Sequence, residues 1–415
     1  MTTAVQPRQR TQVSPWKPLL VRQYRLLWIA QFGSNIGTWA QTLGAQWLVA
    51  GHGSALVGVV QTATALPMFL LVLPAGAVAD LLDRRRLLLV AQLVMLVVVA
   101  GALALLTLVG GLSTISLLAF TFLLGCGQAM MAPAWQAIQP ELVPRDLISQ
   151  AAALNTTSVN LARIVGPAIG GLLVAVAGAG WTFGLNAVSF VGAVVVLTLW
   201  RRPADLTPSR TSGLFRALAE GISYVRRSSP ARRVLLRVLL FVPASCVIWP
   251  YLPVVARQHF GWGSAGYGVL VGAFGLGATI GALVLPHVRA RYGPNELLML
   301  AGTGFAVALL VVGFVPLAAV VMPALIVAGM CTLTALSTFN TSMQLLLPDS
   351  MRARGLAVYQ LIFHGGMAVA SPLWGWLGDW LGVAAGCVLA AGLLGLGAAS
   401  VRWSSLATLD SPRSV

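Results

Sequence analysis

Amide and hydroxyl side chains recur at intervals of three and four residues within the first long apolar segment of the chain. This spacing places them on one face of a helix. Because an unpartnered amide is costly in lipid, such a face must contact other helices or water. The stripe therefore predicts the lining of a central aqueous cavity, which its length favours, or a row of hydrogen bonds between helices. Its members are Gln31, Asn35, Thr38, Gln41 or Thr42, and Gln46.

A second polar stripe lies in a later apolar segment and comprises Thr334, Thr338, Thr341 and Gln344. Large aromatic side chains occur in several of the apolar segments. A cavity walled by aromatic rings, amides and hydroxyls, with few charges, suits a bulky and largely apolar ligand. Several tryptophans could instead anchor helices at the membrane surface. Besides the two stripes, the candidates for the cavity wall are Trp39, Trp135, Gln136, Trp249 and Tyr359.

Two basic side chains lie in the middle of apolar segments, where ionisable groups are rare and usually functional. Arg163 is the only arginine well inside such a segment, and Asn160, one helical turn earlier, could orient it. The alternative is that Arg163 extends towards the polar end of its helix. Histidine is the side chain that titrates near neutral pH. His364 is therefore a candidate proton carrier or, equally, a neutral packing residue.

The sequence contains no group of residues typical of an enzyme active site or a metal site. All ten acidic residues lie near the ends of apolar segments or between them, and no GxxxxGK[ST] motif for ATP is present. The other three histidines lie at segment ends, far from a set of catalytic partners. We therefore predict no enzymatic activity, no cofactor and no metal.

The composition is that of a protein whose main solvent is lipid. Of the 415 residues, 58% are hydrophobic and only 9% are charged, whereas a soluble domain carries about 25% charged residues. This excludes a soluble enzyme and a disordered chain. Twelve apolar runs are long enough to cross a bilayer as helices. They cover residues 26–51, 56–81, 87–109, 113–139, 147–176, 180–200, 238–256, 264–287, 295–315, 317–346, 354–378 and 382–401.

The net charge of +16 follows the same pattern. Nearly all of the 26 Lys and Arg residues fall on one side of the twelve predicted segments, and the loops of the other side hold only Arg257. Cytoplasmic loops are enriched in Lys and Arg. We therefore predict a multi-pass protein of the cytoplasmic membrane with both termini in the cytoplasm, and no binding of nucleic acid.

An internal repeat divides the chain into two halves. Gln136, Pro140 and Glu141 leave the fourth segment in the same spacing as Gln344, Pro348 and Asp349 leave the tenth. A polar stretch with an amphipathic helix near Leu214–Val225 separates the halves. The predicted fold is an all-α membrane protein with twelve transmembrane helices in two pseudo-symmetric six-helix bundles. The expected parts are a tail at 1–25, bundles at 26–200 and 238–401, a cytoplasmic linker at 201–237 and a tail at 402–415.

Two motifs resemble those of the major facilitator superfamily. The end of the second segment reads Gly76-Ala-Val-Ala-Asp80-Leu-Leu-Asp83-Arg84-Arg85-Arg86, although Leu81 and Asp83 depart from the usual pattern. The fifth segment contains Asn160, Arg163, Gly166, Pro167, Gly170 and Gly171, similar to a motif of exporters and antiporters. The Asp-Arg-Arg-Arg form resembles the macrolide-efflux and enterobactin-exporter branch, the drug:proton antiporter-3 or transmembrane secretion effector group.

The resemblance implies secondary active efflux of amphipathic small molecules, such as antibiotics or a siderophore, by a monomer that alternates access and is driven by protons. Another cargo, such as a lipid or an imported metabolite, and an uncoupled facilitator are the alternatives. It also implies that Asp80 and the arginines after it form a cytoplasmic latch against the start of the eleventh segment, near Arg354. The Gly-Pro segment would pack against another helix and seal the pathway. Simple topology signals and tight packing are the plainer interpretations of these motifs.

Overall fold

The computed structural model describes Ser14 and residues 16–138, 141–200 and 214–403. Regular structure in these residues is helical, because lipid offers no partner to backbone amides and a helix satisfies them internally. The helices are α1 Arg22–Ala50, α2 Ser54–Leu81, α3 Arg84–Leu108, α4 Thr114–Ile138, α5 Ile148–Ala177, α6 Ala179–Leu199, α7 Leu214–Arg227, α8 Ser229–Gln258, α9 Ser264–Arg289, α10 Pro294–Phe314, α11 Ala318–Leu346, α12 Asp349–Leu381 and α13 Val383–Trp403.

In the described part of the chain, 11 helices are long and apolar enough to cross a membrane. Helix α1 is not among them, because its polar stripe reduces its mean hydropathy. With 29 residues, however, α1 is about 44 Å long, and it packs along α5 and α6 as a further spanning helix. With α1 counted, the structure agrees with the predicted twelve-helix fold.

The boundaries differ most at the start of the second half. Helix α8 begins at Ser229 rather than near residue 238, so the predicted linker 201–237 is too long. The arginines of this stretch suggested a loop. Arg237 nevertheless belongs to α8, and its buried side chain donates to Asn295 Oδ1 at 3.0 Å. The amphipathic helix predicted near Leu214–Val225 is confirmed as α7.

Each six-helix half has its own core. Phe183 and Phe190 are among the fully buried side chains of the first half, α1–α6. In the second half, α8–α13, Phe241 makes edge-to-face contacts with Phe305 and Phe339. The repeated Gln-Pro-acid motif lies where α4 and α11 end, at Ile138 and Leu346. Equivalent helices of the two halves therefore end at equivalent points of the sequence.

The bundle has two ends with different side chains. At one end α1 begins, α2 ends and most described arginines lie, and we call it the arginine-rich end. At the opposite end α1 ends and α2 begins, and Arg257 is the sole described Lys or Arg in its loops and helix termini. We call this the arginine-poor end.

Candidate transport pathway between the two halves

The two halves are joined at the arginine-poor end by a carboxylate that caps a helix of the opposite half. Asp379, near the end of α12, accepts hydrogen bonds from the backbone N–H groups of Ser54 and Ala55 at 2.6 and 2.9 Å. The Ser54 hydroxyl donates to the same carboxylate at 2.7 Å. The first N–H groups of a helix lack internal partners and carry partial positive charge, so a carboxylate at this position is stabilised.

Four more hydrogen bonds cross between the halves, and one of them joins the Ser54 hydroxyl to the Gly375 carbonyl at 2.7 Å. Tyr267 of α9 donates to Gln46 Oε1 of α1 at 2.6 Å, and Gln46 in turn donates to Gln61 of α2 at 3.0 Å. The Thr62 hydroxyl donates to the Ala368 carbonyl, and the Ser264 hydroxyl donates to the Gly171 carbonyl. These hydrogen bonds between the halves lie in the part of the helices nearer the arginine-poor end.

Glycines allow the helix backbones to meet at this end. A Cβ at Gly375 would overlap the Ser54 carbonyl and come within 2.7 Å of Ala55 Cα, so α12 touches α2 directly. A Cβ at Gly171 would lie 3.0 Å from Gly268 Cα, so α5 touches α9. Small residues at such crossings are typical of membrane helix packing.

The predicted Gly-Pro motif of α5 therefore makes two different contacts. Gly166 and Gly170 pack against Ile36, Trp39 and Ala40 of α1, inside the same half. Gly171 and the Pro167 carbonyl face α9 of the other half. This one segment therefore contacts α1 of its own half and α9 of the other half.

A cluster of one cation and three aromatic rings lies at the middle of the bundle, where the halves meet. The Arg163 guanidinium of α5 lies 5.4 Å from the centre of the Trp39 ring of α1. The Trp39 ring is 6.0 Å from that of Trp249 in α8, which is 5.5 Å from Phe274 of α9. We call these four side chains the central cluster. The structure thus brings together three candidates that the sequence placed on separate segments.

Helix α8 is interrupted immediately before Trp249. Its regular turns stop at Ser245 and resume at Ile248, with Pro243 and Pro250 on either side of the break. Proline removes a helical hydrogen bond and clashes with the preceding turn. Trp249 lies just after this break, with its ring 6.0 Å from that of Trp39. Discontinuous helices near the membrane midplane commonly form transporter sites.

Within the described part of the chain, Arg163 has no partner of opposite charge. Its Nε is buried and has no hydrogen-bond partner among the described residues. Asn160 is buried one turn away, but no hydrogen bond joins it to Arg163 in the part of the chain that the structure describes. The predicted orienting role of Asn160 is therefore not supported by the geometry.

The polar stripe of α1 does not line a single cavity. Gln41 and Thr38 face a small cavity inside the first half, where Asn186 of α6 donates to Gln41 at 2.5 Å. Gln31 instead donates to Asn35 at 3.1 Å. The Oε1 of Gln31 and the Nδ2 of Asn35 are buried without partners among the described residues. The cavity is also lined by Thr42, Ala45, Val60, Thr64, Thr121, Leu124, Gly125 and Gln128.

The remaining cavity candidates are dispersed. Tyr359 is buried in the core of the second half and stacks on Phe363. Gln344 is exposed and donates to Asn340. Trp135 is half-buried with an unpartnered Nε1 among the described residues, and its neighbour Gln136 is exposed.

His364 lies in the middle of α12, half-buried, with its ring edge-to-face against Phe363 at 4.9 Å. The adjacent Gly365 lies against the Phe69 ring of α2. The histidine is therefore on the helix that meets α2 of the first half, a position suited to either of its predicted roles.

Several of the predicted latch residues bind within the first half. Asp83 caps α3 by accepting from the Arg86 N–H at 2.8 Å. Arg84 forms an ion pair with Glu141 at 2.9 Å, and Arg85 donates to the Leu197 and Thr198 carbonyls at the end of α6. The side chain of Asp80 is outside the described set, and a Cβ at Gly76 would meet no atom within 4 Å.

At the start of α12 the contact is with the linker helix. Arg354 pairs with Glu220 of α7 at 2.6 Å. A Cβ at Gly221 would lie 2.8 Å from the Arg354 carbonyl. In the described residues, Arg354 thus ties the connection between the halves to α12.

Sequence reasoning missed Asp379, Ser54 and Tyr267 as contacts between the halves. One signal was available, because Asp379 is the only acidic residue on the arginine-poor side of the predicted segments. A single carboxylate at that side, far from the nine other acids, needed a partner. No group of three or more His, Cys, Asp or Glu side chains among the described residues could hold a metal ion.

Comparison with known proteins identifies the family. A sequence profile described as transmembrane secretion effector matches residues 13–414. The chain belongs to the transmembrane secretion effector family. This family is part of the major facilitator superfamily, so the resemblance noted from the motifs is confirmed.

Three relatives of the chain are named transporters. The enterobactin exporter EntS of Escherichia coli O1:K1 / APEC is 29% identical over 86% of this chain and 85% of its own. The multidrug efflux pump Tap of Mycolicibacterium fortuitum is 26% identical over 84% and 88%. The staphyloferrin A transporter of Staphylococcus aureus is 28% identical over 67% and 70%.

Solved structures share the fold. A mutant form of the nucleoside transporter NupG superposes with a TM-score of 0.77 at 12% identity, over 92% of this chain and 100% of its own. A bacterial homologue of the iron transporter ferroportin, in an inward-facing state, gives a TM-score of 0.73 at 16% identity over 93% and 99%. At these identities the similarity establishes the helical transporter fold of a multi-pass membrane protein.

Proposed function

We propose that this protein exports amphipathic small molecules across the cytoplasmic membrane by alternating access of its two halves. The observation that carries the proposal is the position of the central cluster: Arg163 and Trp39 of one half face Trp249 and Phe274 of the other. A ligand held there would contact both halves at once. The named relatives are exporters of enterobactin and of drugs and a transporter of staphyloferrin A, which supports a small organic cargo.

The charge distribution supports an orientation in the membrane. Arginine and lysine accumulate on the cytoplasmic side of membrane proteins. The arginine-rich end then faces the cytoplasm together with both termini, and the arginine-poor end faces the exterior. In this orientation the hydrogen bonds around Asp379 and Tyr267 close the exterior side.

Polar groups in the cytoplasmic half of the helices support an opening on that side. Thr156 and Thr157 of α5 are exposed, as are Thr341 and Gln344 of α11. Hydroxyl and amide groups on spanning helices are favoured where they line water rather than lipid. Cargo would enter from the cytoplasm, reach the central cluster, and leave when the bonds between the halves at the exterior side break.

We propose that protons drive this cycle and that His364 carries them. It is the one histidine in the middle of a spanning helix, and it lies on α12, which contacts the first half along α2. Replacing His364 by Gln should flatten the dependence of flux on pH. His52→Gln, an exposed histidine at the arginine-poor end, is the control and should keep the wild-type profile. An unchanged profile in His364→Gln would remove this residue from the coupling step.

The test of the function is uptake into everted membrane vesicles from cells with and without the gene. Enterobactin, a macrolide and a cationic dye would be supplied outside, with and without a protonophore. We expect uptake of at least one compound that requires the protein and is abolished by the protonophore. Uptake that persists without a gradient would indicate a facilitator, and movement only in the opposite direction would indicate an importer.

A further inference from the structure

The central cluster contains a cation that the protein itself does not neutralise. Arg163 makes a cation–π contact with Trp39, and no carboxylate or hydrogen-bond acceptor among the described residues pairs with its guanidinium. A charged side chain in the middle of a membrane protein costs several kcal/mol. A cation–π contact returns about 0.5–2 kcal/mol. The cluster therefore favours a further negatively charged group.

The rest of the membrane interior does not supply that charge. By sequence position, no spanning helix carries an acidic residue in its central turns, and the basic side chains there are Arg163 and His364. Asp379 lies near the end of α12, and its carboxylate already accepts hydrogen bonds from the backbone N–H groups at the start of α2. The electrostatic potential in the centre of the protein is consequently positive.

The position of Arg163 indicates that this region of positive potential lies on the proposed pathway between the halves. The side chain is half-buried, and its ring partner Trp39 is adjacent to Trp249 of the other half. It therefore faces the junction of the halves rather than lipid. Next to the cation, the indoles of Trp39 and Trp249 and the Phe274 ring provide flat apolar surfaces on which a planar group can stack.

We propose that Arg163 selects the cargo by charge, and that the protein binds anionic aromatic amphiphiles in preference to cationic ones. The anionic group, a carboxylate, sulfonate or catecholate, pairs with the guanidinium, which can donate two parallel hydrogen bonds. The aromatic part of the cargo lies against Trp39 and Trp249. This inference rests on the proposed export function and narrows its cargo to one charge class, since cationic drugs would be repelled from the same place.

The binding experiment uses three dyes that share a xanthene ring system and differ in charge: anionic sulforhodamine B, zwitterionic rhodamine B and cationic rhodamine 6G. Their Kd values would be measured by fluorescence anisotropy on the full chain in nanodiscs of phosphatidylcholine. We expect sulforhodamine B to bind at least about tenfold more tightly than rhodamine 6G, as one unscreened charge pair in a partly buried site would produce. Equal affinities, or a preference for the cation, would overturn the proposal.

The variants separate Arg163 from the general positive charge of the protein. Arg163→Gln should bring the ratio of the two Kd values close to one, and Arg163→Lys should keep most of it. The chain offers a matched control, because Arg257 lies over Trp47 at 5.3 Å, much as Arg163 lies over Trp39. Arg257→Gln should leave the ratio unchanged. A ratio retained in Arg163→Gln, or lost in Arg257→Gln, would contradict the assignment to Arg163.

A measurement on the wild-type chain remains decisive if Arg163→Gln fails to fold. Phenylglyoxal modifies accessible guanidinium groups, and peptide mass spectrometry follows each arginine separately. Saturating sulforhodamine B should slow modification of Arg163 several-fold and leave that of Arg257 unchanged. Equal rates at Arg163 with and without the dye would overturn the proposal.

The vesicle assay distinguishes failure of this inference from failure of the export function. If vesicles accumulate rhodamine 6G as well as or better than sulforhodamine B, export stands and charge selection fails. If none of the dyes and none of the compounds of the earlier panel is moved, while sulforhodamine B still binds at Arg163, charge-selective binding stands and export fails.

Discussion

The two ends of this protein use the same side-chain chemistry for different purposes. At the arginine-rich end, Asp83 caps α3 of its own half, and Arg84 and Arg85 bind Glu141 and the end of α6, also in their own half. At the arginine-poor end, Asp379 caps α2 of the opposite half. One carboxylate strengthens a bundle, whereas the other joins two bundles.

This difference indicates which contacts must change during transport. Bonds within a half can persist while the halves move as rigid units. The bonds of Asp379, Tyr267, Thr62 and Ser264 join different halves and must break for the arginine-poor end to open. Each such hydrogen bond contributes about 0.5–1.5 kcal/mol net, so this set can be broken and remade during a transport cycle.

The largest effect is expected from Gly375→Ala, which disrupts closure at the arginine-poor end. The new methyl group would overlap the backbone of Ser54 and Ala55, which cannot move aside as a side chain would. We expect α12 and α2 to separate and flux to fall to about a tenth of the wild-type value or less, measured as uptake into everted vesicles. Gly184→Ala is the control, because a Cβ there meets no atom within 4 Å. Similar flux in the two variants would contradict the tight contact.

Asp379→Asn should have a smaller effect of the same kind. The amide of the variant keeps one oxygen acceptor but lacks the negative charge that interacts favourably with the N-terminus of α2. The closed state should therefore lose about 1–2 kcal/mol of stabilisation. The ratio of closed to open protein should fall about tenfold, seen as faster labelling of single cysteines at the arginine-poor end. Glu296→Gln is the matched control, since Glu296 accepts from the Gly293 N–H at the start of its own helix α10, and it should leave labelling at that end unchanged. Equal effects of the two variants would remove the distinction between the ends.

The smallest effect is expected from Tyr267→Phe, which removes one buried hydrogen bond between the halves. Closure should weaken by about 1 kcal/mol, giving a several-fold increase in the same labelling rate. Tyr24→Phe removes the bond from Tyr24 to the Ala151 carbonyl, which lies within the first half. This control should reduce thermal stability slightly without changing the labelling rate.

Helix number, the division into halves and the linker helix could be predicted because each depends on local composition. Long apolar runs must be helical in lipid, and the arginines report which loops share a side. The start of α8 was missed because Arg232, Arg233 and Arg237 resemble a loop in sequence, although Arg237 is buried against Asn295.

The site could be predicted only residue by residue. Arg163, Trp39 and Trp249 were each selected from the sequence for their chemistry, but their meeting depends on the packing of three helices from two halves. The polar stripe of α1 shows the limit of helical spacing as evidence of a shared surface. Gln41 binds Asn186 of the same half, whereas Gln46 binds Tyr267 of the other half.

The central claim is that the halves are held together at the arginine-poor end at rest and separate there during transport. Distances between pairs of spin labels, measured by double electron–electron resonance, test it most directly. The first pair, at His52 and Trp380, spans the two halves at the arginine-poor end, and the second, at Arg86 and Arg291, spans them at the arginine-rich end. All four positions are exposed. At rest we expect a short, narrow distance at the first pair and a longer distance at the second. Cargo and a proton gradient, or Asp379→Asn, should lengthen the first distance while the second shortens. Distances that stay fixed at both pairs, or a resting state with the first pair apart and the second together, would contradict the account.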